Sequence, residues 1–112
     1  MEKILELAQQ LGEAMAEHSV GKKYLAVKSQ LDADPAARQL IQDYEQAAMT
    51  IGQKEQQGRP IEPEDKRKLA DIQTKIAANT TIKLWMQTQM EYLNLLRQVN
   101  EQFLKASPSL GE

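Results

Sequence analysis

The sequence predicts an all-α protein of four or five helices, in which long antiparallel helices form a helical bundle that dimerises. The composition favours helix, because Ala, Leu, Gln, Glu and Lys are abundant and the chain has only four Pro and five Gly. Apolar residues also recur every three or four positions, as they do on one face of a helix. A chain of 112 residues fits one domain with a modest core, and we expect this domain to cover residues 1–106.

The first helices are predicted from apolar spacing and from residues that cap helix ends. Apolar side chains on one face predict a helix from about Glu2 to Glu17, and Ser19 is expected to cap a second, shorter helix. The pattern leaves open whether these two helices are separate or continuous. Asp34-Pro35 predicts the start of a third helix, since Asp caps helix starts and Pro fits the first helical position. Its apolar stripe is Ala37, Leu40, Ile41, Tyr44, Ala47, Ala48 and Ile51.

The segment 58–63 is the clearest loop that the sequence predicts. Gly58 can adopt the left-handed conformation that ends a helix, and the two prolines of this segment forbid regular helix. A fourth helix is expected from about Pro63, with a narrow apolar stripe. Asn79-Thr80-Thr81 prefer caps to helix interiors, which indicates either a break or a kink before the last helix. Residues 107–112 are predicted to form a disordered C-terminal tail.

The last predicted helix, from about Thr81 to Ala106, carries two adjoining apolar rows. One row contains Ile82, Met86, Met90 and Leu93, and the other contains Trp85, Tyr92, Leu96, Val99 and Phe103. Together the rows span about half of the helix circumference, which is wider than a surface helix of a small protein needs. We expect the first row to face the chain's own core and the second row to face a second copy, giving a dimer or a larger homo-oligomer.

Two amides and several large side chains also lie in this apolar arc. Gln89 and Asn100 are either bonded inside the chain or exposed, or they set the register of a contact between chains, because buried amides need partners. The large side chains belong either to the core or to a binding surface, since Trp, Tyr and Met are enriched at interfaces. The candidate interface consists of Trp85, Gln89, Tyr92, Leu96, Val99, Asn100 and Phe103.

Charge and residue types exclude several classes of function. Acidic and basic residues nearly cancel, leaving a net charge of -2, so no overall field attracts DNA or RNA. Cysteine is absent, which removes disulfides, thiolate nucleophiles and cysteine-ligated metal centres. We therefore expect no cofactor, no metal and no direct nucleic-acid binding. No stretch resembles a signal peptide or a membrane span, so we expect a cytoplasmic protein that does not enter membranes.

No arrangement of side chains predicts catalysis. His18 is the only histidine, and no Ser, Asp or Glu stands at a motif spacing from it, so we interpret it as a partly buried residue near a helix end. The acidic pairs are interpreted as caps and turns, because no calcium-loop spacing accompanies them. Lys66-Arg67-Lys68 is interpreted as a charged helix face. We expect no catalytic residues, and the residues favour a non-catalytic interaction or adaptor protein over an enzyme.

Short motifs follow one another in a characteristic order along the chain. They are Leu11-Gly12, Ser19, Tyr24, Asp34-Pro35, Leu40-Ile41, Tyr44, Gln53, Gln56-Gln57-Gly58, Ile76, Asn79, Ile82, Trp85, Leu93, Leu96, Val99 and Phe103. This set resembles the YlbF/YmcA family of small helical bacterial proteins, and within it the YheA-like branch, over nearly the whole chain up to about Ala106. The resemblance implies an all-helical fold that assembles into dimers or larger oligomers and has no enzymatic activity of its own.

The resemblance also implies a regulatory role. In Gram-positive bacteria, family members join a complex linked to competence, sporulation and biofilm formation, which influences RNA processing by a membrane-attached endoribonuclease. Some members of that complex carry iron–sulfur clusters through cysteines, and this property is not carried over to a chain without cysteine. The alternative to an adaptor is therefore a regulator of RNA processing through a nuclease-associated complex.

Overall fold

The computed structural model describes residues 1–108, and this part of the chain contains five α-helices. They are α1 (Glu2–Glu17), α2 (Ser19–Asp32), α3 (Pro35–Gln56), α4 (Pro63–Ala78) and α5 (Thr80–Ala106). The prediction of an all-α fold is confirmed, and both doubtful junctions are breaks between separate helices. Residues 109–112, which make up most of the predicted disordered tail, lie outside the described residues.

The helices are distributed over two compact units. Among the described residues, the first unit contains 1–28 together with 85–108, and the second contains Ser29–Leu84. Helices α2 and α5 each contribute residues to both units, whereas α1 belongs to the first unit alone and α3 and α4 to the second. The assignment of residues 1–106 to a single domain stays a prediction.

Helices α1 and α2 are separated by one residue, His18, whose backbone is extended. The His18 Nδ1 atom accepts a hydrogen bond of 3.1 Å from the backbone N–H of Val20, which satisfies one of the free N–H groups at the start of α2. The prediction that Ser19 caps this helix is wrong, because Ser19 is already its first residue. Gly21 is buried in the same corner, where any side chain would collide with the carbonyl group of Met15.

The second unit is built on a hairpin of α3 and α4, which pack against each other. As predicted, Asp34 caps α3, and its Oδ1 atom accepts a hydrogen bond of 3.0 Å from the N–H of Ala37. Gly58 follows the end of α3 with a φ of +69°, a conformation that glycine adopts without strain. The buried apolar residues of this unit are Leu31, Ala37, Ala47, Ile72 and Ile82.

Asn79 separates α4 from α5 without a loop. Its backbone is extended, and its Oδ1 atom accepts a hydrogen bond of 2.9 Å from the N–H of Ile82 in the first turn of α5. Asn is among the residues that favour such N-terminal caps, so its side chain starts α5, while its backbone N–H ends α4 by donating to the carbonyl oxygen of Ile76. Ile82, which follows this cap, is only 2% exposed and is the most deeply buried large apolar residue of the second unit.

An ion pair closes the loop end of the α3–α4 hairpin. Lys54 Nζ lies 2.5 Å from Asp65 Oδ2, and the same oxygen accepts a hydrogen bond of 3.1 Å from the N–H of Glu62. The contact with Lys54, followed by the one with Glu62, holds the pKa of Asp65 below its ordinary value of 3.8. The backbone N–H of Ala37, followed by the Thr81 side chain, lowers the pKa of Asp34.

Because folding lowers the pKa values of Asp34 and Asp65, we expect the protein to lose stability as the pH falls from about 5 to below 4. A carboxylate with a lowered folded-state pKa stabilises the fold fully above its unfolded-state pKa. This contribution is lost as the pH falls through the folded-state pKa. Asp65→Asn should therefore be less stable than wild type at neutral pH and should lose less stability on acidification, as measured by thermal unfolding. Asp71→Asn, at an exposed position of the same helix, is the control. Equal acid sensitivity of Asp65→Asn and wild type would contradict the expectation.

Candidate interaction surfaces

In the first unit, α2 and α5 meet through three aromatic side chains. The ring of Tyr24 on α2 stacks on Tyr92 of α5, with ring centroids 4.5 Å apart, and its centroid lies 5.1 Å from that of Trp85. Beside the rings, Lys23 Nζ lies 3.1 Å from Glu91 Oε2. Aromatic pairs of this kind contribute about 0.5–1.5 kcal/mol beyond the area that they bury. The exposed ion pair contributes little, so the aromatic cluster decides which side of α5 faces its own chain.

The expected assignment of the two apolar rows on α5 is wrong, because each row is divided between covered and exposed positions. Trp85 and Tyr92 are half-buried beside Tyr24 of α2, and Thr88 is fully buried. Val99, farther along α5, is also half-buried. The expectation that Met86, Met90 and Leu93 face the chain's own core is wrong, because their side chains are 54%, 72% and 61% exposed. Ile82 alone in that row is buried. The reason lies in tertiary packing, because the contact with Tyr24 turns the side of α5 that carries Trp85 and Tyr92 toward the chain's own core.

The candidate interface is divided by this arrangement. Trp85, Gln89, Tyr92 and Val99 are half-buried within their own chain, whereas Leu96, Asn100 and Phe103 are exposed. Asn100 therefore has no cover from its own chain, and Gln89 lies at the edge between the covered and uncovered sides of α5. Contact of these seven residues with another chain stays a prediction.

The uncovered side of α5 carries a row of six residues, which we call the outer row. Its apolar members are strongly exposed, and the two polar members lie toward the C-terminal end. The outer row consists of Met86, Met90, Leu93, Arg97, Asn100 and Leu104. Part of it, with the adjacent Asn94, lines a shallow groove of about 400 Å³. Arg97 and Leu104 are not among the residues of the candidate interface, although their spacing from the methionines in the sequence indicates that they share this side of α5.

Helix α1 presents a second uncovered apolar face. None of its residues is buried, and Ile4, Leu7 and Leu11 on one side are 66%, 55% and 45% exposed. These side chains recur every three or four residues, as expected for a helix that covers one face with a partner. Only Met15, near the corner with α2, is partly buried.

Neither metal ligands nor membrane spans were found in residues 1–108. In this segment, no three His, Cys, Asp or Glu side chains come close enough to hold a metal ion. No helix of the same segment is both long and apolar enough to cross a membrane.

Residues 1–108 form a small all-α protein in which the apolar faces of α1 and α5 are left exposed by the other described residues. Residues 4–106 match the sequence profile of the family described as control of competence regulator ComK, YlbF/YmcA, and the chain belongs to this family. The membership predicted from the short motifs is therefore confirmed.

Individual relatives agree with this assignment. A UPF0342 protein of Caldicellulosiruptor saccharolyticus is 22% identical over 101 residues, which cover 90% of this chain and 84% of the relative. A UPF0342 protein of Halalkalibacterium halodurans is 31% identical over 68 residues, or 61% of this chain and 59% of the relative. Among solved structures, that of Bacillus subtilis RicA in complex with RicF has a similar fold, with a TM-score of 0.78 and 20% identity. The alignment covers 93% of this chain and 92% of that chain.

Proposed function

We propose that this protein acts without catalysis, by binding other protein chains through the uncovered apolar faces of α1 and α5. Self-association through α5 is part of the proposal, with the candidate interface centred on its exposed members. The observation that carries the proposal is the exposure of large side chains along both helices, with Met90 at 72% and Ile4 at 66%. Contiguous apolar patches of this kind mark sites of interaction between proteins, because contact with a partner removes them from water.

The comparisons support a role in protein interaction. The family is described by its control of a competence regulator, which is a regulatory rather than a metabolic role. The solved relative RicA was crystallised in complex with a second protein, RicF. A chain of the same fold therefore binds another chain, and the uncovered faces give this protein the means to do the same.

We expect the wild-type chain to sediment at tens of micromolar with a mass above that of one 12.7-kDa chain. Met90→Glu should give a folded monomer, because Met90 lies on the outer row and its removal does not open the chain's own core. Burial of one large apolar side chain contributes about 1.5–3 kcal/mol to the free energy of association, and the substitution removes one such side chain from each copy. Self-association should therefore weaken at least about 100-fold. Sedimentation equilibrium measures the association, and circular dichroism measures the helical content.

Gln98→Glu is the matched control for this experiment. It introduces the same side chain on the same helix at an exposed polar position outside the outer row. Its association should remain close to that of wild type. A wild-type chain that sediments as a monomer would remove self-association from the proposal, and a Met90→Glu variant that stays oligomeric would remove α5 as the surface.

A second candidate function is regulation of RNA processing through a nuclease-associated complex. The observation that favours it is the match to the YlbF/YmcA competence family over nearly the whole chain. The face of α1 would remain free for a partner protein while α5 is paired. Deletion of the gene should then change transcript processing, and a copy that carries Leu7→Glu should not restore it. Unchanged processing in the deletion strain would argue against this function.

A further inference from the structure

The outer row of α5 has a symmetrical spacing. Its six members are separated by four, three, four, three and four residues, which is the heptad rhythm of a helix that pairs with another helix. These intervals are the same in both directions along the chain, and Leu95 is at the centre. When two copies of the helix run antiparallel about an axis at Leu95, every member of the row meets a member of the other row.

We propose that a second copy of this chain covers the outer row, with the two α5 helices antiparallel and the two-fold axis crossing the outer row at the level of Leu95. This inference rests on the proposed self-association and adds its orientation and register. In this register Met86 faces the partner's Leu104, Met90 faces the partner's Asn100, and Leu93 faces the partner's Arg97. Such a contact is isologous, because both copies use the same surface.

The flanks of the outer row also match in this register. Leu96 lies next to the row and close to the axis, so it meets the partner's Leu96. Gln89 lies on the same flank and meets the partner's Phe103. Three residues of the candidate interface, Gln89, Leu96 and Phe103, are thereby placed at the contact, and the exposed Asn100 is a fourth.

The apolar area available is sufficient for a stable pair. The large apolar side chains along this side of α5 are Met86, Met90, Leu93, Leu96, Phe103 and Leu104, and they are 39% to 72% exposed. At roughly 100 Å² for each side chain, they offer roughly 600 Å² per copy and about 1,200 Å² in total. This total equals the lower limit of specific protein interfaces.

The polar residues of the row favour the antiparallel orientation. Two parallel helices in register would place Arg97 against the partner's Arg97, and like charges in contact repel. The antiparallel register shifts these two residues by about 6 Å along the helix axis. Arg97 also donates a hydrogen bond from Nη2 to Asn94 Oδ1 at the edge of the row. Its stem can therefore cover the partner's Leu93 while the guanidinium remains at the rim.

Cysteine cross-linking tests the register directly, because the natural chain has no cysteine. A disulfide needs Cβ atoms about 3.5–4.5 Å apart, so only positions that meet across the axis become linked. Leu96→Cys should form a covalent dimer under mild oxidation. Met86→Cys should not link to itself, since its two copies lie about 27 Å apart along the axis. A mixture of Met86→Cys and Leu104→Cys chains should form the mixed dimer at least about tenfold faster than either chain links to itself.

The Leu11→Cys variant on α1 is the control for disulfides that form by random collision between chains, and its chains should become linked slowly. Faster self-linking of Met86→Cys than of Leu96→Cys would overturn the antiparallel register. If the protein sediments as an oligomer but none of the expected links forms, the register fails while the proposed self-association stands. If the protein sediments as a monomer, both fail.

Arg97→Leu provides a test by gain of affinity, which a folding defect cannot imitate. Arg97 is exposed, so its replacement leaves the chain's own core unchanged. The variant removes one positive charge from each side of the axis and adds apolar area against the partner's Leu93. We expect self-association to tighten about tenfold, as measured by sedimentation equilibrium. Unchanged or weaker association would count against the outer row as the contact.

Discussion

Replacing Ile82 with Ala is expected to lower the free energy of unfolding by about 2–5 kcal/mol. Ile82 is 2% exposed and belongs to the core of the second unit, at the first turn of α5. Truncation removes apolar contacts and leaves a cavity that the surrounding helices fill only partly. Since small domains are stable by only about 5–15 kcal/mol, this loss is a large fraction of the total. Urea denaturation followed by circular dichroism measures the change.

Met49→Ala on α3 is the matched control for Ile82→Ala. Met49 is also a large apolar residue of the second unit, but it is 60% exposed. Its truncation should change the free energy of unfolding by no more than about 0.5 kcal/mol, as is usual for exposed positions. If the two variants lose equal stability, Ile82 does not have the buried role assigned to it.

Gly21→Ala is expected to lower the free energy of unfolding by about 1–3 kcal/mol. A Cβ atom at this position would overlap the carbonyl oxygen of Met15 and would lie 2.9 Å from its carbonyl carbon. Both are backbone atoms, so relief requires the corner between α1 and α2 to open. Thermal or urea denaturation measures the effect.

The same substitution elsewhere should have the opposite sign. Gly12 in α1 has no neighbouring atom within 4 Å of an added Cβ, and replacement of a helical glycine by Ala stabilises a helix by about 0.5–1 kcal/mol. Gly12→Ala should therefore be slightly more stable than wild type. A Gly21→Ala protein as stable as Gly12→Ala would show that the corner is not closely packed.

The second unit could be predicted from sequence because its signals are local. Asp34 and Pro35 start α3 through contacts within one turn, and Gly58 follows its end through its own φ angle. The buried positions of α3 and α4 also follow from apolar spacing, since each helix has a single stripe, and Tyr44 is the one predicted stripe residue that is exposed. Where one stripe exists, the sequence alone indicates which side is buried.

The candidate surface on α5 could be predicted only in part. Two adjoining rows have similar apolar character, and the choice between them depends on Tyr24, which lies far away in the sequence. The apolar spacing within α5 does not indicate that a distant residue such as Tyr24 will pack against it. The cap of α2 was missed for a different reason, because His18 is not among the usual capping side chains and accepts through its ring nitrogen.

The single tryptophan gives the first unit an optical signal of its own. Trp85 is the only tryptophan in the chain and lies 5.1 Å from Tyr24 within that unit, so its fluorescence changes when this packing is lost. Circular dichroism, in contrast, records helices of both units. Coincident denaturation curves from the two methods would indicate one cooperative domain, and separate curves would indicate that the two units unfold independently.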